Sequence, residues 1–119
     1  MRMKWYVAKM VYQVVNSKKS RIPQIDEQYK LIQADDRAWA WEKANILGKL
    51  GECRLEGFKE TSVQWKFINV VDLFEIGELS DGVELFSGTN EPEDIEEYMA
   101  ISELRAKRIM EAFQNHLIA

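Results

Sequence analysis

One cysteine, one histidine and two prolines in 119 residues leave little material for several kinds of chemistry. A lone Cys53 can form no internal disulfide, so the chain is no disulfide-framed miniprotein, and a reducing cytoplasm is its natural setting. His116 has no Cys, Asp or second His at ligand spacing. Zinc takes three or four such ligands, so no metal site is expected. Cys53, Ser62, Ser80 and Ser87 stand in no nucleophile motif, and Gly48 and Gly51 lack the G-x-x-x-x-G-K frame that cradles phosphates. No cofactor is expected. Apolar runs never approach the ~18 residues of a membrane span. The start, Met1-Arg2-Met3-Lys4-Trp5, lacks the apolar stretch and cleavage site of a signal peptide, so no membrane partner is expected.

What is present suits a folded domain. The chain is 46% apolar and 30% charged, enough for a core and for solubility, and its length fits one domain over residues 1–119. The net charge of −4 is unevenly spread: residues 1–30 carry +5, residues 31–74 carry −1, and residues 75–119 carry −8. An acidic total argues against nucleic-acid binding, which draws on a basic face. The polarity suggests that the N-terminal strands face the C-terminal segment, within one chain or between two.

Lys4–Val15 is rich in β-branched and aromatic residues and reads as a long strand with both parities apolar. A basic loop over Asn16–Gln24 leads to a second strand, Glu27–Ala34, antiparallel to the first. Asp35-Asp36 can cap a helix running to Gly48, with Ala40, Ala44 and Leu47 on one stripe and Trp39, Ile46 and Leu50 on the next. Gly48 or Gly51 can end it in a left-handed conformation. A short irregular strand is possible near Arg54–Phe58. Val63–Ile76 exceeds a usual strand, which predicts a bend near Asn69–Asp72. Asp81-Gly82 signals a turn into a short strand at Val83–Ser87. Asn90 to Glu93, with Pro92, opens a last helix to about Leu117. Ile95, Met99, Ser102, Ala106, Ile109 and Phe113 form its apolar stripe. The order β-β-α-β-β-α predicts an α+β fold, a mainly antiparallel sheet with two helices. Helices on one face would leave the other sheet face solvated or paired, and its aromatics make it a candidate homodimer or ligand surface.

Several short words match a known pattern in order. They are Trp5-Tyr6-Val7-Ala8-Lys9, Asp26-Glu27-Gln28 with Leu31-Ile32-Gln33-Ala34-Asp35-Asp36, Trp65-Lys66-Phe67 with Val70 and Leu73, and Asp81-Gly82-Val83-Glu84-Leu85 with Ser87. Over residues 4–88 the chain resembles a family of small bacterial proteins catalogued as a domain of unknown function, number 4288. The resemblance implies a stand-alone bacterial cytoplasmic protein and carries over no catalytic residue.

Charged residues inside apolar strands are the remaining candidates. Lys9 and Lys66 need a partner or a route to water. Glu27 can pair with Lys9 across strands, or act as a base. If Lys9, Glu27, Lys66 and Glu84 converge, they form a polar patch framed by Trp5 and Trp65, a ligand or partner surface. Other features have plainer readings. Glu91, Glu93, Asp94, Glu96 and Glu97 lack the calcium-loop frame and read as a helix start. Lys18, Lys19 and Arg21 near Tyr12 read as a solvated loop, His116 as a helix-end residue, Cys53 as a buried or idle thiol, and Trp39 and Trp41 as core and rim. The expected function is a non-catalytic binding or assembly module, homodimeric through a sheet face. The alternative is a small enzyme with a carboxylate-lined pocket built on Glu27 and Glu84.

Overall fold

The computed structural model describes residues 2–17, 23–59 and 61–118, with side chains through residue 115. The expectations for Lys18, Lys19, Arg21 and the side chain of His116 fall outside these residues. The chain divides into two compact units, Met1–Ser87 and Gly88–Ala119.

The first unit is a four-stranded antiparallel sheet with one helix. Its elements are β1 (Lys4–Asn16), β2 (Gln24–Ala34), α1 (Arg37–Leu50), β3 (Cys53–Glu56) and β4 (Ser62–Ile76), in the spatial order β2-β1-β4-β3. The second unit holds α2 (Ile95–Ile118). The α+β class and the order β-β-α-β-β-α are as expected. The short strand of the sheet, however, is β3, Cys53–Glu56, which precedes β4, and Val83–Ser87 is not a strand. That segment is held by a side-chain contact in place of a ladder: Phe86 packs on Phe74 of β4 at 5.3 Å between ring centroids.

β1 is the central strand, which explains two apolar parities. Tyr6, Ala8, Met10 and Tyr12 are all buried and join Ile32, Ala34, Val70, Ala40 and Ala44 in the core. Their alternate neighbours Trp5, Val7, Lys9 and Val11 point to the other face, because successive strand residues do. The bend in β4 takes the form of two register shifts against β1, between Lys9 and Met10 and between Val11 and Tyr12. Each leaves one extra β4 residue, Val71 and Ile68, opposite nothing.

Asp36 caps α1 by accepting the Trp39 backbone N–H at 2.8 Å. The buried stripe is Ala40, Ala44 and Gly48, narrower than the broad apolar arc expected. Trp39, Trp41, Ile46 and Leu50 are exposed, so neither tryptophan is core. Small residues let the helix lie close to the sheet. A methyl at Gly48 would overlap the Phe67 ring, and one at Gly51 the Tyr12 hydroxyl. Gly51 has φ −78 and does not adopt the left-handed cap expected of it. The glycine answers to space there, and to conformation only at Gly82, where φ is +87 in the turn closed by Val83 N–H on Ser80 O. In α2 the cap is Asp94, which accepts the Glu97 backbone N–H at 3.1 Å. Asn90 stands before it. Cys53 is exposed.

The Tyr12 hydroxyl donates to Gly48 O at 2.7 Å. Burial, with the charges of Glu52 and Asp26, pushes its pKa up, so it remains a neutral donor. At the end of α1, Glu52 accepts the Phe67 N–H at 3.0 Å and pairs with Lys49 at 2.9 Å. The Lys49 hydrogen bond and then the Phe67 N–H hold its carboxyl below the usual range. The Tyr6 hydroxyl is buried with no partner among the described residues.

Two substitutions should move stability in opposite directions in urea unfolding. Tyr6→Phe removes an unsatisfied buried hydroxyl and should stabilise by ~1 kcal/mol. Gly48→Ala gains helix propensity but forces the Phe67 ring aside, and should destabilise by about 1–3 kcal/mol.

Candidate functional site

The face of the sheet away from α1 carries the sequence candidates that the fold brings together. Alternation along β1 places Trp5, Lys9 and Val11 there, and the β1–β2 register places Gln33, Tyr29 and Glu27 opposite them. Lys9 lies between Tyr29 on β2 and Asp72 on β4. Glu27 is its diagonal neighbour. The Lys9 Nζ reaches Glu27 Oε1 at 3.4 Å and sits over the Tyr29 ring at 5.6 Å from its centroid. The Lys9 side chain is 19% exposed and that of Glu27 55%.

Burial of the Lys9 stem pulls its pKa down. The hydrogen bond and charge of Glu27, followed by Tyr29, outweigh that effect and leave the ammonium above its ordinary value. A lysine held charged in this way is a poor general base or nucleophile at neutral pH, since both roles need the free amine. The pair therefore reads as an ionic latch between β1 and β2, with the open ring of Tyr29 beside it.

Lys66 and Trp65 do not join this cluster, and Glu84 makes none of its contacts among the described residues. Lys66 faces Gln13, on the same face as Lys9 but about 13 Å farther along β1 at ~3.3 Å per residue. Trp65 faces Val14 and packs against the core on the α1 side. Glu84 lies in the segment after β4, where it lines a hollow of about 340 Å³ with Phe74, Glu75, Ile76 and Phe86. Trp5 is half-buried and shares the Lys9 face, opposite Ile76. The residues that single out this face beyond those candidates are Tyr29 and Asp72. Period-two spacing puts Tyr29 with Glu27, but only the strand register sets both beside Lys9.

Along β2 the same face exposes apolar side chains. Ile25 and Tyr29 are each 53% exposed and Leu31 is 49% exposed, all on one parity of the edge strand β2. Val7, next to Leu31 and Phe74 in the ladder, is buried. A second groove lies beside α1 itself. Arg37, Trp41, Val71 and Leu73 line about 570 Å³ there, and the Arg37 guanidinium donates to Leu73 O at 3.2 Å. Among the described residues no three His, Cys, Asp or Glu side chains cluster as metal ligands, and no helix is long and apolar enough to cross a membrane.

A family model described as a domain of unknown function (DUF4288) matches residues 5–87. The match ends where the first compact unit ends. No curated protein and no solved structure matches the chain.

The Lys9–Glu27 pair has a pH signature. Because the folded value of Lys9 is raised, its contribution to stability is complete below the unfolded value near 10.5 and is lost as pH rises through the folded one. Glu27→Gln should lower the urea midpoint between pH 7 and 9, and its curve should rejoin the wild type at more alkaline pH. Coincident midpoints between pH 7 and 9, or an offset that persists unchanged above the folded value of Lys9, would contradict the latch.

Proposed function

The chain belongs to the DUF4288 family, a family of unknown function, and on that premise we propose that it is a non-catalytic assembly module whose sheet face pairs with that of a second copy. The observation that carries this reading is the run of Ile25, Tyr29 and Leu31, each about half exposed on the face away from α1. Exposed apolar surface of this kind, broken here only by Glu27, marks interaction sites, and covering it stabilises by ~25 cal/mol per Å² of apolar area. The occupant is argued from the latch. Lys9 and Glu27 place opposite charges side by side on one surface, and a two-fold contact repeats that patch in self-complementary form. Tyr29, which offers an apolar ring and a polar tip, is a residue type favoured in such contacts. A stable pair needs about 1,000 Å² or more of buried surface, which an 11-residue edge strand and its neighbour can supply. The exposed thiol of Cys53 fits the reducing cytoplasm and bacterial setting that go with this reading.

A second reading rests on the hollow over Phe74, where Glu75 and Glu84 both line the wall. Two carboxylates at one concavity are the material of a small acid–base enzyme.

Light scattering on the full chain separates the two. Tyr29→Lys with Leu31→Glu changes only exposed side chains, so the fold should persist by circular dichroism while the solution mass falls two-fold. An unchanged mass would defeat the sheet contact. Saturable binding of a small molecule that is abolished by Glu84→Gln would move the assignment to the enzyme.

A further inference from the structure

The second unit carries an apolar surface that the sheet contact does not use. In α2, Ile95, Met99, Ser102, Ala106, Ile109 and Phe113 recur at steps of four, three, four, three and four, the alternation of a helix-pairing seam. Every described side chain of α2 is exposed. A helix of 24 residues is about 36 Å long, and most helical stability in proteins comes from packing such a stripe. The only ion pair within α2 among the described residues is Lys107–Glu111 at 4.0 Å, which contributes little at the surface.

We propose that α2 pairs antiparallel with α2 of a second copy. Two independent features of the helix select this occupant. The first is size order. The seam reads large, large, small, small, large, large, and is palindromic about its centre. An antiparallel copy therefore sets Ile95 against Phe113, Met99 against Ile109 and Ser102 against Ala106 in every layer. The small central pair lets the backbones approach, and around it lies a hollow of about 320 Å³ edged by Tyr98, Ile101, Arg105 and Ile109. The second feature is charge. Glu93, Asp94, Glu96, Glu97 and Glu103 precede the midpoint with no basic residue among them, whereas Arg105, Lys107 and Arg108 follow it with one acid, Glu111. Parallel alignment would set the acidic halves side by side and add the helix dipoles. Antiparallel alignment opposes the acidic half to the basic half and cancels the dipoles. This contact is separate from the sheet contact, and a chain with both self-contacts assembles beyond a dimer.

The test uses the full chain. Met99→Glu with Ile109→Glu should halve the solution mass by light scattering. Combining them with Tyr29→Lys and Leu31→Glu should give a monomer. If the sheet variants halve the mass and the helix variants leave it unchanged, the helix contact is overturned and the sheet contact stands. The converse overturns the sheet contact alone. Because an unpaired α2 can fray, a second measurement does not depend on unpairing it. In a Cys53→Ser background, chains carrying Ser102→Cys and chains carrying Ala106→Cys are mixed and oxidised. The antiparallel register predicts a mixed disulfide dimer several-fold in excess of either like pair. Equal yields of all pairs, an excess of like pairs, or no cross-linked dimer would overturn the proposal.

Discussion

The close seat of α1 on the sheet is the contact on which the rest of the first unit depends. It exists because Ala40, Ala44 and Gly48 present almost no side chain, so that Tyr12 can stand under the helix and donate its hydroxyl to Gly48 O. Phe67 fills the adjacent space and meets the Tyr12 ring at 5.6 Å, tilted by 55°. Any bulk at Gly48 or Gly51 would push the helix off these rings. The seat also decides which sheet face the helix covers and which it leaves uncovered.

Polar contacts at the margins hold the helix in that position. Arg37 donates to Leu73 O on β4 and Lys43 to Gln33 O on β2, so α1 is tied to both strands that flank β1. Glu52 ties its end to Phe67. On the opposite face the central strand carries a charge, Lys9, which its neighbours Glu27 and Tyr29 make tolerable. The same charge sits amid apolar surface and gives that surface a polarity. A wholly apolar open face would invite indiscriminate aggregation, whereas a face with a fixed ion pair at its middle favours one geometry of contact.

Much of the fold was legible in the residues. Dense β-branched and aromatic stretches marked β1 and β4, the paired aspartates marked the start of α1, and the overlong β4 announced its bulges. Errors arose where local signals do not decide. Val83–Ser87 has strand composition, yet Phe86 finds Phe74 and the segment makes no ladder. The α1 glycines look like left-handed caps, and their real reason is a tyrosine and a phenylalanine far away in sequence. At the candidate site, the Lys9–Glu27 pairing could be anticipated from strand order. The separation of Lys66 and the placement of Trp65 on the α1 face could not, because the β1–β4 register and the choice of the face that α1 covers are not local properties. Tyr29 and Asp72 became neighbours of Lys9 only through register.

By itself, then, the sequence determined the class of fold, the kinds of element and the uneven charge, since periodicity, capping and composition act over a few residues. It also determined the seam of α2, whose spacing and charge halves are properties of one continuous helix. Tertiary structure alone decided which sheet face lies open and which charges meet on it. Those outcomes depend on strand register and on the depth at which a helix sits, and both are set by packing between residues dozens of positions apart.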